Sequence, residues 1–322
     1  MRILTSSDIV PQALTGSVLT IGNFDGVHRG HAEIFRRLVV RAAERGLPAV
    51  VVTFEPHPMS VVAPDAAPML ITDVGQKVAL IENSGIDILA VIRFDEAFAA
   101  ISAEQFVSAT LCGALGMRHI IIGHDYCFGR GRKGSYATLE ILGAELGFTL
   151  EDVEPVGDQG GVFSSSRARR MILDGEVRAA ANILGRLHCV SGTVSHGHHR
   201  GRALGFPTAN ITDTSGLMPR DGVYAVAVTC DGLFLEGACT IGTNPTFGDE
   251  ARSCEVFMLD FNGDLYGHRL EVRFVERLRD MRTFAGPDQL VQAIAQDVEQ
   301  TRMIMASYYA RLSEAGVLGG LR

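Results

Sequence analysis

Residues 18–31 read VLTIGNFDGVHRGH. Residues 18–21 form a short apolar run typical of a buried strand, and a helix-patterned segment, residues 32–45, follows the loop. Glycines let the backbone approach a ligand closely, and the exposed N–H groups of a first helical turn attract anions. A strand, a glycine loop and a helix start therefore predict a nucleotide-phosphate site, with contacts at Gly22, Asn23, Phe24, Asp25 and Gly26.

Two imidazoles end this stretch, His28 and His31, and a spacing of three residues places them on one side of a helix. The spacing of the glycines differs from that of the dinucleotide-binding fingerprint, and the Gly-Lys-Ser/Thr ending of a Walker loop is missing. Two zinc ligands or two solvated histidines are the alternative interpretations of such a pair. The preceding glycine loop favours phosphate chemistry, and the stretch resembles the HxGH signature of nucleotidylyltransferases, whose imidazoles stabilise charge on the attacked phosphate and the departing pyrophosphate.

Length and composition narrow the class of protein. A chain of 322 residues predicts two domains. A net charge of -8 with dispersed basic residues disfavours a nucleic-acid groove, so we expect small-molecule partners. The six cysteines form no Cys-x-x-Cys pair, the N-terminus lacks a signal-peptide pattern, and no apolar run approaches the roughly 18 residues of a membrane span. These features predict a reduced, cytoplasmic protein without a membrane segment; a homo-oligomer stays open.

The pattern of apolar runs predicts an α/β plus β protein with two domains, residues 1–186 and 187–322. In the first domain, strands alternate with helices, which predicts a doubly wound parallel sheet with ligands beyond the carboxyl ends of its strands. The expected strands are residues 18–21, 49–54, 88–94 and 119–123, and the expected helices are residues 32–45, 74–84, 103–115 and 138–146.

The second domain lacks intervening long helices until its end. Hairpin signals at Asp231-Gly232 and Asn262-Gly263 predict a small antiparallel barrel, and residues 287–312 predict a terminal helix. The expected barrel strands are residues 189–194, 222–230, 234–242, 254–261 and 270–278.

Three further motifs of the first domain carry candidate ligand contacts. Residues 53–58 (TFEPHP) form a stiff loop after a strand, and residues 123–134 (GHDYCFGRGRKG) combine aromatic, acidic and basic side chains. These loops could hold a planar heterocycle through Phe54, Pro56, His57, Asp125 and Phe128. Hydroxyls and a guanidinium near a helix start predict a second phosphate site at Ser164, Ser165, Ser166 and Arg169, although such residues also serve as ordinary caps.

The second domain contains a candidate metal site and a candidate base. In extended chain Thr208 and Asn210 project to one side and offer the hard oxygen ligands that Mg²⁺ accepts. Glu255 lies among apolar residues of a strand, which suggests a general base, with a salt bridge at the barrel rim as the alternative. The histidines at 196, 198 and 199 could instead form a transition-metal site, but a partly exposed loop is the simpler account.

Residues 18–186 resemble the adenylyltransferase module of prokaryotic bifunctional riboflavin kinase/FMN adenylyltransferases, with Ser166 in place of the usual Thr. The matching motifs occur in the family's order and are GNFDGVHRGH (22–31), TFEPHP (53–58), GHDYCFGRGRKG (123–134), SSSRAR (164–169) and LGR (184–186). Residues 187–312 are similar to the family's riboflavin kinase module through GFPTAN (205–210), GVY (222–224), GTNPTF (242–247), Glu255 and LYG (265–267). Met281 departs from the acidic residue that is common in the family.

The resemblance implies two ATP-dependent reactions. Riboflavin would attack the γ-phosphate of ATP with Glu255 as base and Mg²⁺ on Thr208 and Asn210. The resulting FMN would attack the α-phosphate of a second ATP beside His28 and His31, giving FAD and pyrophosphate. The kinase ATP contacts would be Gly201, Gly205, Phe206, Pro207, Thr208 and Asn210, and the kinase flavin contacts Asn244, Thr246, Phe247 and Arg282. An adenylyltransferase for another phosphorylated acceptor, with a regulatory barrel, and a non-catalytic flavin carrier or sensor are the competing hypotheses.

Overall fold

The computed structural model describes residues 1–123, 126–196, 205–244 and 249–314. The chain forms two compact units, Met1–Ser165 and Ser166–Arg322. The boundary between these units lies about twenty residues before the domain boundary expected after residue 186. The helix Val177–Leu184 lies between the two boundaries and packs on strands of the second unit. Within the described residues, none of the helices is long and apolar enough to span a membrane.

A six-stranded parallel sheet forms the centre of the first unit. Its strands run in the order β1-β4-β3-β2-β5-β6. The four strands expected from the sequence are confirmed, whereas the two edge strands, β1 and β6, were not expected because each contains only one buried residue and a short apolar run. The strands are β1 (Arg2–Thr5), β2 (Ser17–Ile21), β3 (Ala49–Glu55), β4 (Ile88–Arg93), β5 (Met117–Gly123) and β6 (Thr149–Val153).

Helices cover both faces of this sheet, as expected for a doubly wound fold. On one face Phe35 and Leu38 of α1 pack with Val18 and Val51, and on the other Phe106 packs in the cluster that contains Leu19 and Val52. The predicted helix 103–115 is α-helical for only three residues and continues as a π-helix, Phe106–Ala114. The helices are α1 (Arg29–Arg45), α2 (Pro58–Val62), α3 (Val74–Glu82), α4 (Glu96–Ala99), α5 (Ala103–Gln105) and α6 (Tyr136–Leu146).

A short hairpin, β7 (Gly157–Asp158) and β8 (Gly161–Val162), precedes α7 (Ser165–Leu173) and α8 (Val177–Leu184). The second unit is then a closed antiparallel barrel in the order β10-β13-β12-β11-β14-β9. Its strands are β9 (His188–Ser195), β10 (Thr208–Ser215), β11 (Gly222–Cys230), β12 (Leu233–Asn244), β13 (Asp249–Met258) and β14 (Arg269–Arg279). Strand β13 begins and ends before the residues expected for it, and it pairs with β10 and β12. The hairpin predicted at Asn262-Gly263 is therefore wrong, because β13 and β14 are not neighbours in the barrel.

The terminal helix α9 (Pro287–Glu314) packs on β11, β12 and β14. Arg279 of β14 donates two hydrogen bonds to the carboxylate of Asp297, at 2.8 and 2.7 Å. The side chains of both residues are largely withdrawn from water, at 15% and 7% exposure. Because a buried charge without its partner is costly, this ion pair specifies where α9 lies on the barrel.

We expect Asp297→Ala to lower the free energy of unfolding of the second unit by about 3 kcal/mol, since Arg279 would stay buried without its counter-charge. Urea unfolding followed by circular dichroism measures the change. Asp260→Ala is the matched control, because it removes an exposed ion pair with Arg302 of the same helix and should leave the midpoint almost unchanged. Equal effects of the two substitutions would contradict the proposed anchoring role.

Candidate functional site

The glycine loop after β2 has a strained backbone. Phe24, Gly26 and Val27 all have positive φ, at 49°, 76° and 39°. For the two residues with side chains this conformation costs roughly 1 kcal/mol or more each, so the surrounding structure must hold it. Phe24 is fully packed, with its ring 4.9 Å from that of Phe35.

Asp25 provides much of that support. Its carboxylate is 5% exposed and accepts hydrogen bonds from the backbone N–H groups of Ile71, at 2.9 Å, and Thr72, at 3.2 Å. The Thr72 hydroxyl in turn accepts from the N–H of Gly26 at 3.1 Å. The carboxylate predicted to contact ATP therefore faces the protein's own backbone, and it shapes the loop that follows β2.

His28 and His31 are brought together at the start of α1. Nδ1 of His28 caps the helix by accepting from the N–H groups of Gly30, at 3.1 Å, and His31, at 3.4 Å. A ring nitrogen that accepts carries no proton, so the neutral ring of His28 has its proton on Nε2. The two imidazoles stack with centroids 3.6 Å apart, and the ring of Phe24 meets that of His31 edge-on at 5.1 Å.

Two of the other predicted motifs lie against this loop. The amide nitrogen of Asn23 lies 3.2 Å from Nε2 of His57, which caps α2 through Nδ1. The Ser165 hydroxyl donates to the carbonyl of Asp25 at 2.8 Å, so Ser165 contacts the glycine loop. Ser164 is partly buried beside it, while Ser166 and Arg169 lie further along α7 in the part of the chain that groups with the second unit.

The remaining predicted flavin contacts of the first unit differ in exposure. Pro56 is exposed, but Phe54 and Phe128 are only 6% and 5% exposed. Their rings pack against Phe106, with centroids 6.4 and 6.2 Å from it, so most of their surface is taken up by the core. Burial in the same cluster raises the pKa of the Tyr126 phenol well above its usual range. Asp125 lies outside the described residues.

On the barrel, strand register assembles the second set of predicted residues. Asn210 of β10 lies directly opposite Glu255 of β13. The Thr208 hydroxyl donates to Oε2 of Glu255 at 3.2 Å, and the Ser253 hydroxyl donates to Oε1 at 3.2 Å. Because the neighbours of Glu255 on its strand, Cys254 and Val256, face the barrel core, this group of oxygen ligands lies on the outer surface.

The other predicted kinase residues are placed less completely. Phe206 packs edge-on against Phe257 at 5.3 Å, Gly205 has a φ of +85°, and Pro207 and Arg282 are exposed. Asn244 pairs through its backbone with Asp249, and its side chain lies outside the described structure. Gly201, Thr246 and Phe247 also lie outside the described residues.

Comparison with known proteins finds a different family in each part of the chain. Sequence models of the FAD synthetase and riboflavin kinase families match residues 10–167 and 184–305. The chain is 38% identical over 283 residues to the bifunctional riboflavin kinase/FMN adenylyltransferase of Escherichia coli (strain K12), covering 88% of this chain and 90% of that protein. It belongs to the bifunctional riboflavin kinase/FMN adenylyltransferase family.

Other members of this family are equally extensive matches. The bifunctional riboflavin kinase/FMN adenylyltransferase of Pseudomonas fluorescens is 39% identical, covering 90% of this chain and 94% of its own length. The enzyme of the same name from Bacillus subtilis (strain 168) is 36% identical, covering 91% of this chain and 93% of its own length. A crystal structure from Streptococcus pneumoniae, described as a macrolide-efflux protein, superposes with a TM-score of 0.82 at 34% identity and covers 94% of this chain and 99% of its own.

Three polar residues that lie near these sites were not identified from the sequence: Ser253, Thr72 and Lys77. Ser253 is two residues from Glu255, so strand alternation could have placed it on the same face. Thr72 supports the glycine loop from a distant segment, and no sequence signal points to it. Lys77 of α3 is buried 3.8 Å from Glu55, and desolvation lowers the pKa of its ammonium group.

We expect Asp25→Ala to loosen the glycine loop, because two backbone donors lose a charged acceptor worth about 3 kcal/mol in total. Amide exchange at Ile71 and Thr72 should become about 100-fold faster, as measured by hydrogen–deuterium exchange with mass spectrometry.

Asp73→Ala is the matched control for this change. Asp73 caps α3 by accepting from Gln76 N–H at 2.7 Å, so its loss should accelerate exchange only in the first turn of that helix. Unaltered exchange at residues 71 and 72 in Asp25→Ala would show that the carboxylate does not hold the loop.

Proposed function

We propose that the chain makes FMN and FAD at two separate sites, with riboflavin phosphorylated beside Glu255 and FMN adenylylated beside His28 and His31. The chain is an enzyme of flavin cofactor synthesis with riboflavin kinase and FMN adenylyltransferase activities. The observation that carries the assignment of sites is the presence, on different units, of a carboxylate among hard oxygen ligands and of a stacked imidazole pair at a helix start.

In the kinase reaction the terminal ribityl hydroxyl of riboflavin attacks the γ-phosphorus of ATP. A new O–P bond forms, the bond from the γ-phosphorus to the bridging oxygen breaks, and ADP leaves. The hydroxyl proton passes to the carboxylate of Glu255, since an alcohol is a weak nucleophile at neutral pH. Hydrogen bonds from Thr208 and Ser253 hold one oxygen each of that carboxylate and thereby fix its orientation.

We also propose that this site takes Mg²⁺. The Thr208 hydroxyl and the Asn210 amide oxygen are hard ligands, and they fit the ion because both lie beside the carboxylate of Glu255. When bound, Mg²⁺ neutralises charge on phosphate oxygens. Gly205, Phe206 and Pro207 would contact ATP, and Asn244 and Arg282 would contact the flavin.

In the adenylyltransferase reaction the FMN phosphate attacks the α-phosphorus of a second ATP, and pyrophosphate leaves. This nucleophile is already an anion, so the site needs no general base and acts through position and charge. The Nε2–H of His28, with His31 stacked beside it, is a donor for the crowded α-phosphate. Ser164, Ser165, Ser166 and Arg169 hold the departing pyrophosphate, and Pro56 and His57 border the flavin.

The two modules are proposed to be residues 1–186 and 187–322. The compact units of the structure instead divide after Ser165, so α7 and α8 group with the barrel. The partners are riboflavin, FMN and ATP. All six cysteines are free thiols, which suits the reducing cytoplasm that we propose as the site of action.

We expect His28→Ala combined with His31→Ala to lower the rate of FAD formation from FMN by at least about 100-fold, because the α-phosphate loses its charge-stabilising donors. Riboflavin phosphorylation by the same preparation is the internal control and should be unchanged. Chromatography of the flavins after incubation with ATP and Mg²⁺ measures both. Loss of both reactions would contradict independent sites.

Glu255→Gln should have the opposite effect. The amide keeps the shape of the side chain but cannot take up the hydroxyl proton, so FMN formation should fall by about 100-fold or more while FAD formation from FMN persists. Glu271→Gln is the matched control, because Glu271 is another carboxylate of the barrel, paired with Arg273 and Thr229. A Glu255→Gln enzyme that phosphorylates riboflavin at the parent rate would remove Glu255 from the role of base.

A further inference from the structure

A second group of ligand-type side chains lies on the barrel, apart from Thr208, Asn210 and Glu255. It consists of Cys230 at the end of β11, Asp231 in the turn that follows, and His268, which directly precedes β14. Sγ of Cys230 lies 3.8 Å from Oδ2 of Asp231, and Nδ1 of His268 lies 2.5 Å from the same oxygen. All three ligand atoms lie within 4.8 Å of one another.

We propose that Cys230, Asp231 and His268 bind one zinc ion. A thiolate, a carboxylate and an imidazole are the three side-chain ligands that zinc takes in proteins, whereas Mg²⁺ prefers oxygen ligands alone. Three ligands from the chain leave the fourth tetrahedral position to water. The site would link the β11–β12 turn to the start of β14 and so stabilise this end of the barrel.

The spacing of the ligand atoms is close to what the ion requires. Tetrahedral zinc with bonds of about 2.0 Å to oxygen and nitrogen and about 2.3 Å to sulfur separates its ligand atoms by about 3.3–3.5 Å. The sulfur–oxygen distance of 3.8 Å is near this value. Oδ2 of Asp231 and Nδ1 of His268 must therefore move apart by about 0.8 Å. Side-chain rotation allows this movement, because the two side chains are 67% and 47% exposed.

The backbone that carries these ligands is already fixed. Asp231 and Gly232 have φ of 47° and 83°, and Cys230 pairs with Leu233, which defines a two-residue hairpin turn of type I′. On the other side, the N–H of His268 donates to the carbonyl of Leu265 at 3.1 Å, and its carbonyl accepts from Val194 at 3.0 Å. Zinc therefore needs no rearrangement of the main chain.

Charge favours a divalent ion at this position. Zinc binds cysteine as the thiolate, so binding at Cys230 releases the thiol proton. Once that proton has left, the thiolate and the carboxylate carry two negative charges, which the ion neutralises. The His268 ring contributes as a neutral imidazole.

Cobalt(II) titration of the full chain, first stripped of metal with a chelator, tests the proposal. The chain has no tryptophan, so its near-ultraviolet background is weak. One equivalent of Co²⁺ should produce a thiolate-to-cobalt charge-transfer band and the d–d bands of tetrahedral cobalt. Zinc should displace the cobalt, and a large excess of Mg²⁺ should not. The absence of a charge-transfer band, or d–d bands of octahedral cobalt alone, would overturn the proposal.

Single substitutions then test each ligand. Cys230→Ser should abolish the charge-transfer band, and His268→Gln should weaken cobalt binding by more than about tenfold while the band persists at saturation. Cys189→Ser is the matched control, because Cys189 is a half-buried cysteine of β9 in the same barrel, and it should retain full binding.

The substitutions also separate the proposal from misfolding. Should Cys230→Ser lose the circular dichroism of the parent, His268→Gln decides alone, since that side chain is 47% exposed and its replacement leaves the barrel core intact. Unaltered affinity in His268→Gln would overturn the proposal, and so would a charge-transfer band that survives in Cys230→Ser or disappears in Cys189→Ser.

Discussion

The hydrogen bonds of the buried Asp25 carboxylate are the interaction on which the proposed adenylyltransferase site depends. A loop with three consecutive or near-consecutive left-handed residues does not persist on its own. By accepting from the backbone of Ile71 and Thr72, this carboxylate ties the loop to a segment nearly fifty residues away in sequence. Because the loop is held, the helix that follows starts in a defined place, and the two imidazoles are stacked before any ligand arrives.

The barrel reaches its own site by a different route. There the rigid element is the hydrogen-bonded ladder between β10 and β13, and the proposed active groups are side chains on its outer face. A shift of one residue in this register would turn Glu255 towards the apolar core and Val256 towards water, so the core and the site are specified by the same pairing. Hydroxyls from Thr208 and Ser253 complete the orientation of the carboxylate.

Local patterns predicted most of the architecture. Alternation and helical periodicity revealed the central strands, the terminal helix and the face shared by Thr208 and Asn210. The edge strands β1 and β6 were not predicted, because each is short and has only one buried residue. The π-helix Phe106–Ala114 and the packing of α8 on the barrel were not predictable from periodicity either, since both depend on contacts with distant segments.

In the candidate sites too, some features could be predicted from the sequence and others could not. Neighbouring residues such as His28 and His31 could be paired from spacing alone. The partners of Asp25 could not, because every residue carries a backbone N–H group and nothing in the sequence marks the two that are used. Aromatic residues were the least predictable: Phe54 and Phe128 had the chemistry of a stacking surface, but the apolar cluster around Phe106 encloses them.

The ion pair between Arg279 and Asp297 has a consequence for how the chain matures. As the polypeptide emerges from the ribosome, β14 appears before the helix that supplies its counter-ion. The N-terminal unit has its own core and can assemble while translation continues. The barrel, in contrast, keeps the Arg279 guanidinium without its carboxylate until Asp297 of α9 has also been synthesised, so this ion pair cannot form while only β14 has emerged.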